Sequence, residues 1–176
     1  MSTADEVARA YGLVPLPAEG GRFDRIWAGP EDAAGRPAGS VILALLGSGP
    51  GDFSALHRLP RDEVWHFYRG DPLELLLLHP DGTDELVLLG GDGPAPRVQH
   101  VVPGGSWMGA RVAPGGDWSL FGASMAPGFL PSDYQGGSAS ELTAAYPQRA
   151  GLIRQLCRTD GPLTMAAESH WKGRHD

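Results

Sequence analysis

Residues 51–70 read GDFSALHRLPRDEVWHFYRG, and the fold is decided by what lies on either side of them. Before them runs SVILALL (residues 40–46), and after them PLELLLL (residues 72–78). Short apolar runs bounded by Gly and Pro are the pattern of strands in a sandwich or barrel. Pro60, followed by the charged Arg61–Asp62, breaks the segment into two strands, Phe53–His57 and Glu63–Arg69. Side chains alternate faces along a strand, so Glu63, Trp65 and Phe67 share one face and Val64, His66 and Tyr68 the other.

The same grammar extends in both directions. Upstream, Asp5–Tyr11 suits a short helix, Pro15 and Pro17 force extended chain, and Gly20–Gly21 turns into a strand carrying Phe23 and Trp27. Ser40–Leu46 is nearly continuous in apolar residues, which predicts a strand covered on both faces. Downstream, Leu73–His79 and Glu85–Leu89 form a hairpin about PDGT. Arg97–Val102, Trp107–Ala113 and Trp118–Met125 follow, with PGG at 103–105 and 114–116 as corners. The character then changes. Ser138 with Glu141 has capping-box spacing for a helix, Pro147 restarts it, and Leu152, Ile153 and Leu156 give it an apolar face. The reading is one all-β barrel domain over residues 1–158 with helices at both ends, then a polar, flexible tail over 159–176.

Composition narrows the function. The 176 residues carry a net charge of -7 with 14 Lys+Arg, and no basic run, which argues against nucleic acid and anionic membranes as partners. There is one cysteine, Cys157, so neither a disulfide framework nor a cysteine zinc cluster can form. The N-terminus is too polar for a signal peptide and no apolar run approaches a membrane span, which places the chain in the cytoplasm. No GxSxG motif marks a nucleophilic serine, and the Gly-rich stretches at 90–93 and 104–105 are turns, not phosphate loops.

His57 and Glu63 are the residues best suited to chemistry. If the Pro60 connection brings them together, an imidazole and a carboxyl converge beside aromatic side chains, ground for proton transfer. A structural polar pair closing the loop beside Arg58 and Asp62 is the other reading, and the pattern leaves both open. His66, on the opposite face from Glu63, reads as a satisfied core or interface group. His79 and His100 sit near strand ends without an acidic partner, and His170 and His175 belong to the tail.

The string HRLPRDEVWHFYRGDPLEL, followed by VVPGGSW and WSLFGASMAPGF, resembles the cupin superfamily, and more narrowly its small RmlC-like "cupin-five" branch. The resembling stretches are Glu19–Gly21, Phe53–Arg58, Asp62–Leu75, Val102–Trp107 and Met125–Tyr134. The resemblance implies a double-stranded β-helix, or jelly-roll, barrel that pairs as a homodimer. In the general cupin pattern three histidines and a glutamate hold a metal. His57 and Glu63 occupy two of those places, while Leu59 and Met108 stand where the other two histidines would be. One imidazole and one carboxylate hold a divalent ion weakly, so no cofactor is implied, although a metal stays open.

Relatives in the narrower branch often carry a histidine where this chain has Leu76 and a polar group where it has Met108. If those positions line the pocket, it is unusually apolar, with Trp65, Phe67, Trp107 and Met108 as its wall; filling of the barrel core is the alternative. The expectation is a metal-independent enzyme performing acid–base chemistry on a small, largely hydrophobic metabolite. Epimerisation, isomerisation, cyclisation and dehydration are the reactions considered. His57 is base or acid, Glu63 its partner, and Glu19 and Ser54 orient the substrate. A metal-dependent cupin and a non-catalytic small-molecule binder are the rival expectations.

Overall fold

In the computed structural model, which describes residues 3–93 and 96–166, two antiparallel sheets face each other. Strands β1 (Val14–Pro15), β2 (Arg22–Ala28), β3 (Ser40–Gly47), β4 (Ser54–Arg58), β5 (Glu63–Gly70) and β6 (Leu73–Leu78) come first along the chain. They are followed by β7 (Asp84–Leu89), β8 (Gln99–Val102), β9 (Trp107–Val112), β10 (Trp118–Met125) and β11 (Gln135–Gly136). The larger sheet has the order β1-β2-β3-β10-β5-β8 and the smaller β11-β4-β9-β6-β7. Sequence neighbours β4 and β5 thus lie in opposite sheets, so the Pro60 connection carries the chain across the barrel. This is the jelly-roll arrangement that the cupin resemblance implied, within the sandwich or barrel class that the strand pattern predicted.

Alternation of side chains builds the core. Ala44 and Leu46 of β3 point inward to meet Leu73, Leu75 and Leu77 of β6, Met108 and Ala110 of β9, and Phe121 of β10. The apolar run of β3 is covered outside as well, though only at one end. Helix α1 (Ala4–Tyr11) packs Val7 and Ala8 on Leu43, Leu45 and Leu120. It is held by a capping box in which the Glu6 N–H donates to Thr3 Oγ1 and the Thr3 N–H to Glu6 Oε2. The outer face of β6 is covered by α2 (Ala139–Ala145) and α3 (Ala150–Gln155), which bury Leu76 and Leu78 against Leu142, Ile153 and Leu156. A run as apolar as LELLLL requires that second cover.

Two expectations at the C-terminal end change. Ser138 is the N-cap of α2, but its hydroxyl meets Ser140 Oγ at 3.0 Å and caps no backbone N–H, so the capping box with Glu141 does not form. The polar tail expected from residue 159 is attached at its start. The Gly136 N–H donates to the Leu163 carbonyl at 2.8 Å and Met165 is buried in the main core. Residues 159–166 thus lie against the barrel, held by one backbone hydrogen bond and one apolar side chain despite the polar composition around them. His170 and His175 lie outside the described residues. Cys157 is buried just beyond α3, and burial pushes its thiol up to about 11, leaving it inert. No helix among the described residues is long and apolar enough to cross a membrane.

Candidate active site

The site is built from the turn between β1 and β2, from β3, β4, β5 and β10, and from the segment after β10. Glu19 rides on a turn whose backbone is strained. Ala18 adopts φ 62°, a left-handed conformation that costs a β-carbon-bearing residue about 1 kcal/mol or more. Gly20 follows at φ 102°, and a Cβ there would collide with the Arg158 guanidinium and the Phe53 carbonyl. The turn is docked by the Ala55 N–H donating to the Glu19 carbonyl at 2.8 Å. Its purpose is legible in the side chain: the Ser54 hydroxyl donates to Glu19 Oε1 at 2.7 Å, and Glu19 Oε2 lies 3.8 Å from His57 Nε2.

Ser54 and His57 differ by three residues and should face opposite ways. A register shift lets them share a face: Ser54 stands opposite Ala110 and His57 opposite Met108, so β4 has one extra residue between them. Ala110 and Met108 both point into the barrel, and Ser54 and His57 follow. The bulge is what brings a hydroxyl and an imidazole to one carboxylate.

His57 is 2% exposed and its Nδ1 lies 2.7 Å from the Ala55 carbonyl oxygen. A carbonyl only accepts, so Nδ1 carries a proton, and Nε2 is the ring nitrogen that faces Glu19. The ring stacks on Tyr134 at 5.2 Å between centroids. Burial, reinforced by the Glu19 charge, pushes the Tyr134 phenol well above its usual range and keeps it neutral. Across the pocket Glu63 is 8% exposed, and the Trp65 indole N–H donates to its Oε2 at 2.8 Å. Burial first, and Glu19 second, push the Glu63 carboxyl up to about 8, against a smaller opposing pull from the indole. At neutral pH Glu63 is an undissociated acid.

These groups open on a narrow cavity of about 30 Å³, room for one or two waters. Its other walls include Leu16, Ile42, Leu59, Met125 and Phe129, and no arginine or lysine lines it among the described residues. Ser40, at the start of β3, also faces it and accepts the Phe129 N–H at 2.9 Å. Phe129 and Tyr134 belong to a segment clamped by Arg36, whose guanidinium donates to both Asp133 oxygens (2.6 and 2.9 Å) and to the Gly128 carbonyl.

Of the residues expected at the site, Glu19, Ser54, His57 and Glu63 come together. Trp65 joins only through its N–H; its ring is buried and stacked on Phe121. Phe67 shares the inner face, as parity required, but packs over Gly90. Met108 is buried beside His57 in the core. Leu76 and Trp107 are on the wrong face: both pack under the C-terminal helices, with the Arg58 guanidinium over the Trp107 ring. The aromatic wall expected from Trp65, Phe67 and Trp107 is therefore replaced by Phe129 at the cavity, with Tyr134 stacked against the His57 ring. Both lie within the APGF…DY stretch, whose aromatic residues were the available signal. His66 is satisfied on the outer face, between Ser124 Oγ (2.8 Å) and the Gln99 amide nitrogen (3.0 Å). With that amide donating to Nδ1, the imidazole has no free lone pair to activate the serine.

A metal does not fit the donors present. Leu59 offers only hydrocarbon to the pocket and Met108 is packed in the core, at the two places where a cupin metal would find further imidazoles. Among the described residues no three His, Cys, Asp or Glu side chains converge as an ion requires.

Two facing antiparallel sheets with a pocket between them, floored by a histidine on one sheet and a glutamate on the other, define a cupin barrel. The chain belongs to the Cupin_5 family, described as "Cupin superfamily (DUF985)", whose model matches residues 5–136. Among solved structures it is similar to a protein from Shewanella oneidensis, with 31% identity, TM-score 0.81, and coverage of 90% of this chain and 99% of that one. It is also similar to a hypothetical protein from Leishmania major, with 29% identity, TM-score 0.77, and 89% and 99% of the two chains covered. A cupin 2 domain-containing protein from Halorhodospira halophila, at 18% identity and TM-score 0.52 over 83% of this chain and 88% of that one, shares the fold alone. A search of curated proteins finds no match to the chain.

Proposed function

We propose that this cupin is a metal-independent cytoplasmic enzyme that moves protons on a small, largely hydrophobic metabolite, as an epimerase, isomerase, cyclase or dehydratase. One observation carries the reading. An imidazole oriented through its Nδ1 and a carboxyl pushed up to about 8 line the same narrow pocket from opposite sheets. In this reading His57 Nε2 is the base. Glu63 is the acid, donating from the oxygen that the Trp65 indole leaves free. An imidazole and a raised carboxyl on facing walls are the equipment for general acid–base catalysis. Glu19 then stabilises the imidazolium that His57 becomes. The pocket admits a molecule of few heavy atoms, or the reacting end of a longer one.

The test is solvent exchange. Candidate metabolites are incubated with the protein in D2O and read by NMR, alongside His57→Gln and Glu63→Gln and a metal analysis of the purified chain. Deuterium entering a carbon position with the wild type, lost in both variants and independent of metal content, is the expected result. Metal near one per chain that is lost with His57 would overturn the metal-independent reading. Ligand binding with neither exchange nor conversion would make the chain a binder.

We further propose a second copy of the chain as partner. Trp27, Val41, Ser124, Val64 and Val101 stand opposite one another in successive ladders across the outer face of the larger sheet. Trp27 and Val101 at its two ends are 46% and 53% exposed. A row across five strands that is apolar on four of them suits a self-complementary contact. Light scattering should give twice the chain mass, and Val101→Glu should return the monomer; a monomeric wild type refutes it.

A further inference from the structure

We infer that a cleft at the end of β4, outside the acid–base pocket, binds the carboxylate of a small organic acid on the Arg58 guanidinium. The cleft has a volume of about 450 Å³, and its lining includes Arg58, Leu59, Pro60, Ser132, Asp133 and Gln135. His57 faces into the barrel, and Arg58, the next residue, lies on the other side of β4. There Gln135, Arg58 and Trp107 stand in one row across β11, β4 and β9.

This row orients the guanidinium without neutralising it. Gln135 Oε1 accepts from Arg58 Nε at 3.1 Å and from Nη2 at 2.6 Å, so one amide oxygen occupies the side-on edge of the fork. The Trp107 ring, 4.7 Å from the guanidinium carbon, supports its face. The end-on edge, made of Nη1 and the second Nη2 hydrogen, meets no acceptor among the described residues, and no carboxylate among them pairs with Arg58. Other cations near the cleft are answered. Asp133 takes Arg36 through both oxygens and stands 3.9 Å from Arg61, and Asp32 adds its charge to both arginines. Arg58 is left as a fixed, uncompensated fork at the cleft.

The open edge selects the ligand. A carboxylate is planar, accepts through two oxygens and takes two parallel N–H bonds from such an edge. The Ser132 hydroxyl and the Gln135 amide nitrogen, neither bonded to a protein acceptor among the described residues, supply further donors at the same cleft. A cation is repelled by Arg58. A phosphate dianion brings a second charge towards Asp133 with no second free arginine in the lining to meet it. Leu59 and Pro60 give the carbon next to the carboxylate an apolar surface. The chain as a whole carries a net charge of -7, so its overall field attracts no anion and retention falls to the local fork.

The test titrates acetate, acetamide and methylphosphonate at pH 7 into isotopically labelled protein, at ionic strength held constant with chloride. Shifts of the Arg58 Nε–H, the Trp107 indole, Ser132 and the Gln135 side-chain amide give the dissociation constants, with the exposed Arg154 as the control arginine. A charge-assisted pair of hydrogen bonds should make acetate about tenfold tighter than acetamide, with methylphosphonate weaker than acetate. Arg58→Lys keeps the charge but loses the fork, and acetate should weaken about tenfold. The order of the three probes on the wild type decides the matter even if that variant fails to fold. In the deuterium-exchange assay, acetate raising KM would assign the carboxylate to the substrate, and acetate changing kcat alone would assign it to a separate ligand of the same cleft. Acetate and acetamide binding alike, methylphosphonate binding best, or acetate moving Arg154 as much as Arg58 would each overturn the carboxylate site. None of these outcomes touches the acid–base pocket, whose own test is solvent exchange.

Discussion

Replacing Glu63 with glutamine should change how stability responds to pH. The wild-type carboxyl is raised from about 4.5 to about 8 by burial and by Glu19. A raised acid means that the folded state holds the proton more tightly than the unfolded chain between those values. The stabilisation is full below about 4.5 and is lost as pH rises towards 8. For one proton the slope is about 1.3 kcal/mol per pH unit, so between pH 5.5 and 7.5 the wild type should lose up to about 2.7 kcal/mol from this group. Water reaching the carboxyl would reduce this to about 1 kcal/mol. Glutamine keeps the shape, still accepts the Trp65 indole proton, and cannot ionise. Urea denaturation of both proteins from pH 5 to 9 gives the two curves. His66 and His100, both lowered by burial, contribute in the opposite sense as pH falls, but they are common to both proteins and cancel in the difference. The variant's curve should be flatter, and its stability relative to the wild type should grow with pH. Parallel curves would mean that Glu63 ionises normally, and the acid in the proposed mechanism would go with it.

Two further outcomes probe the scaffold. Leu76→Ala should cost about 2–5 kcal/mol, because the side chain is fully buried under α2 and α3, yet leave the deuterium exchange of a substrate by the folded protein unchanged. Loss of that exchange in the folded variant would put Leu76 back in the pocket wall. Arg36→Ala should cost about 2–3 kcal/mol by stranding Asp133 and speed amide hydrogen exchange at Phe129. Unchanged exchange there would show that the Arg36 clamp does not hold the aromatic segment over the pocket.

The barrel was legible because its signals are local. SVILALL, HRLPRDEVWHFYRG and LELLLL, each cut off by Gly or Pro, state where strands begin and end, and β-strand parity put Glu63, Trp65 and Phe67 on one face correctly. Parity failed where the backbone departs from regularity. The extra residue between Ser54 and His57 aligns two side chains that a regular strand would separate. In β6 parity held, separating Leu76 from Leu75 and Leu77, but with leucines on both faces nothing local says which face looks into the barrel and which lies under α2 and α3. The place of Glu19 beside His57 was not legible, because nothing in AEGG announces that Ala18 will be held at a positive φ to aim it.

Sequence alone therefore determined the strand-rich class and the cupin resemblance, and it put His57 and Glu63 forward as candidates for the site. These follow from residue identity and short-range periodicity. Tertiary structure decided which side chains share the cavity, which nitrogen of His57 faces Glu19, and that burial raises the Glu63 carboxyl. Each of those depends on a neighbour distant along the chain. Glu19 and Tyr134 reach His57 from opposite ends of the fold, and burial between two sheets, which no single strand can supply, sets the charge of Glu63.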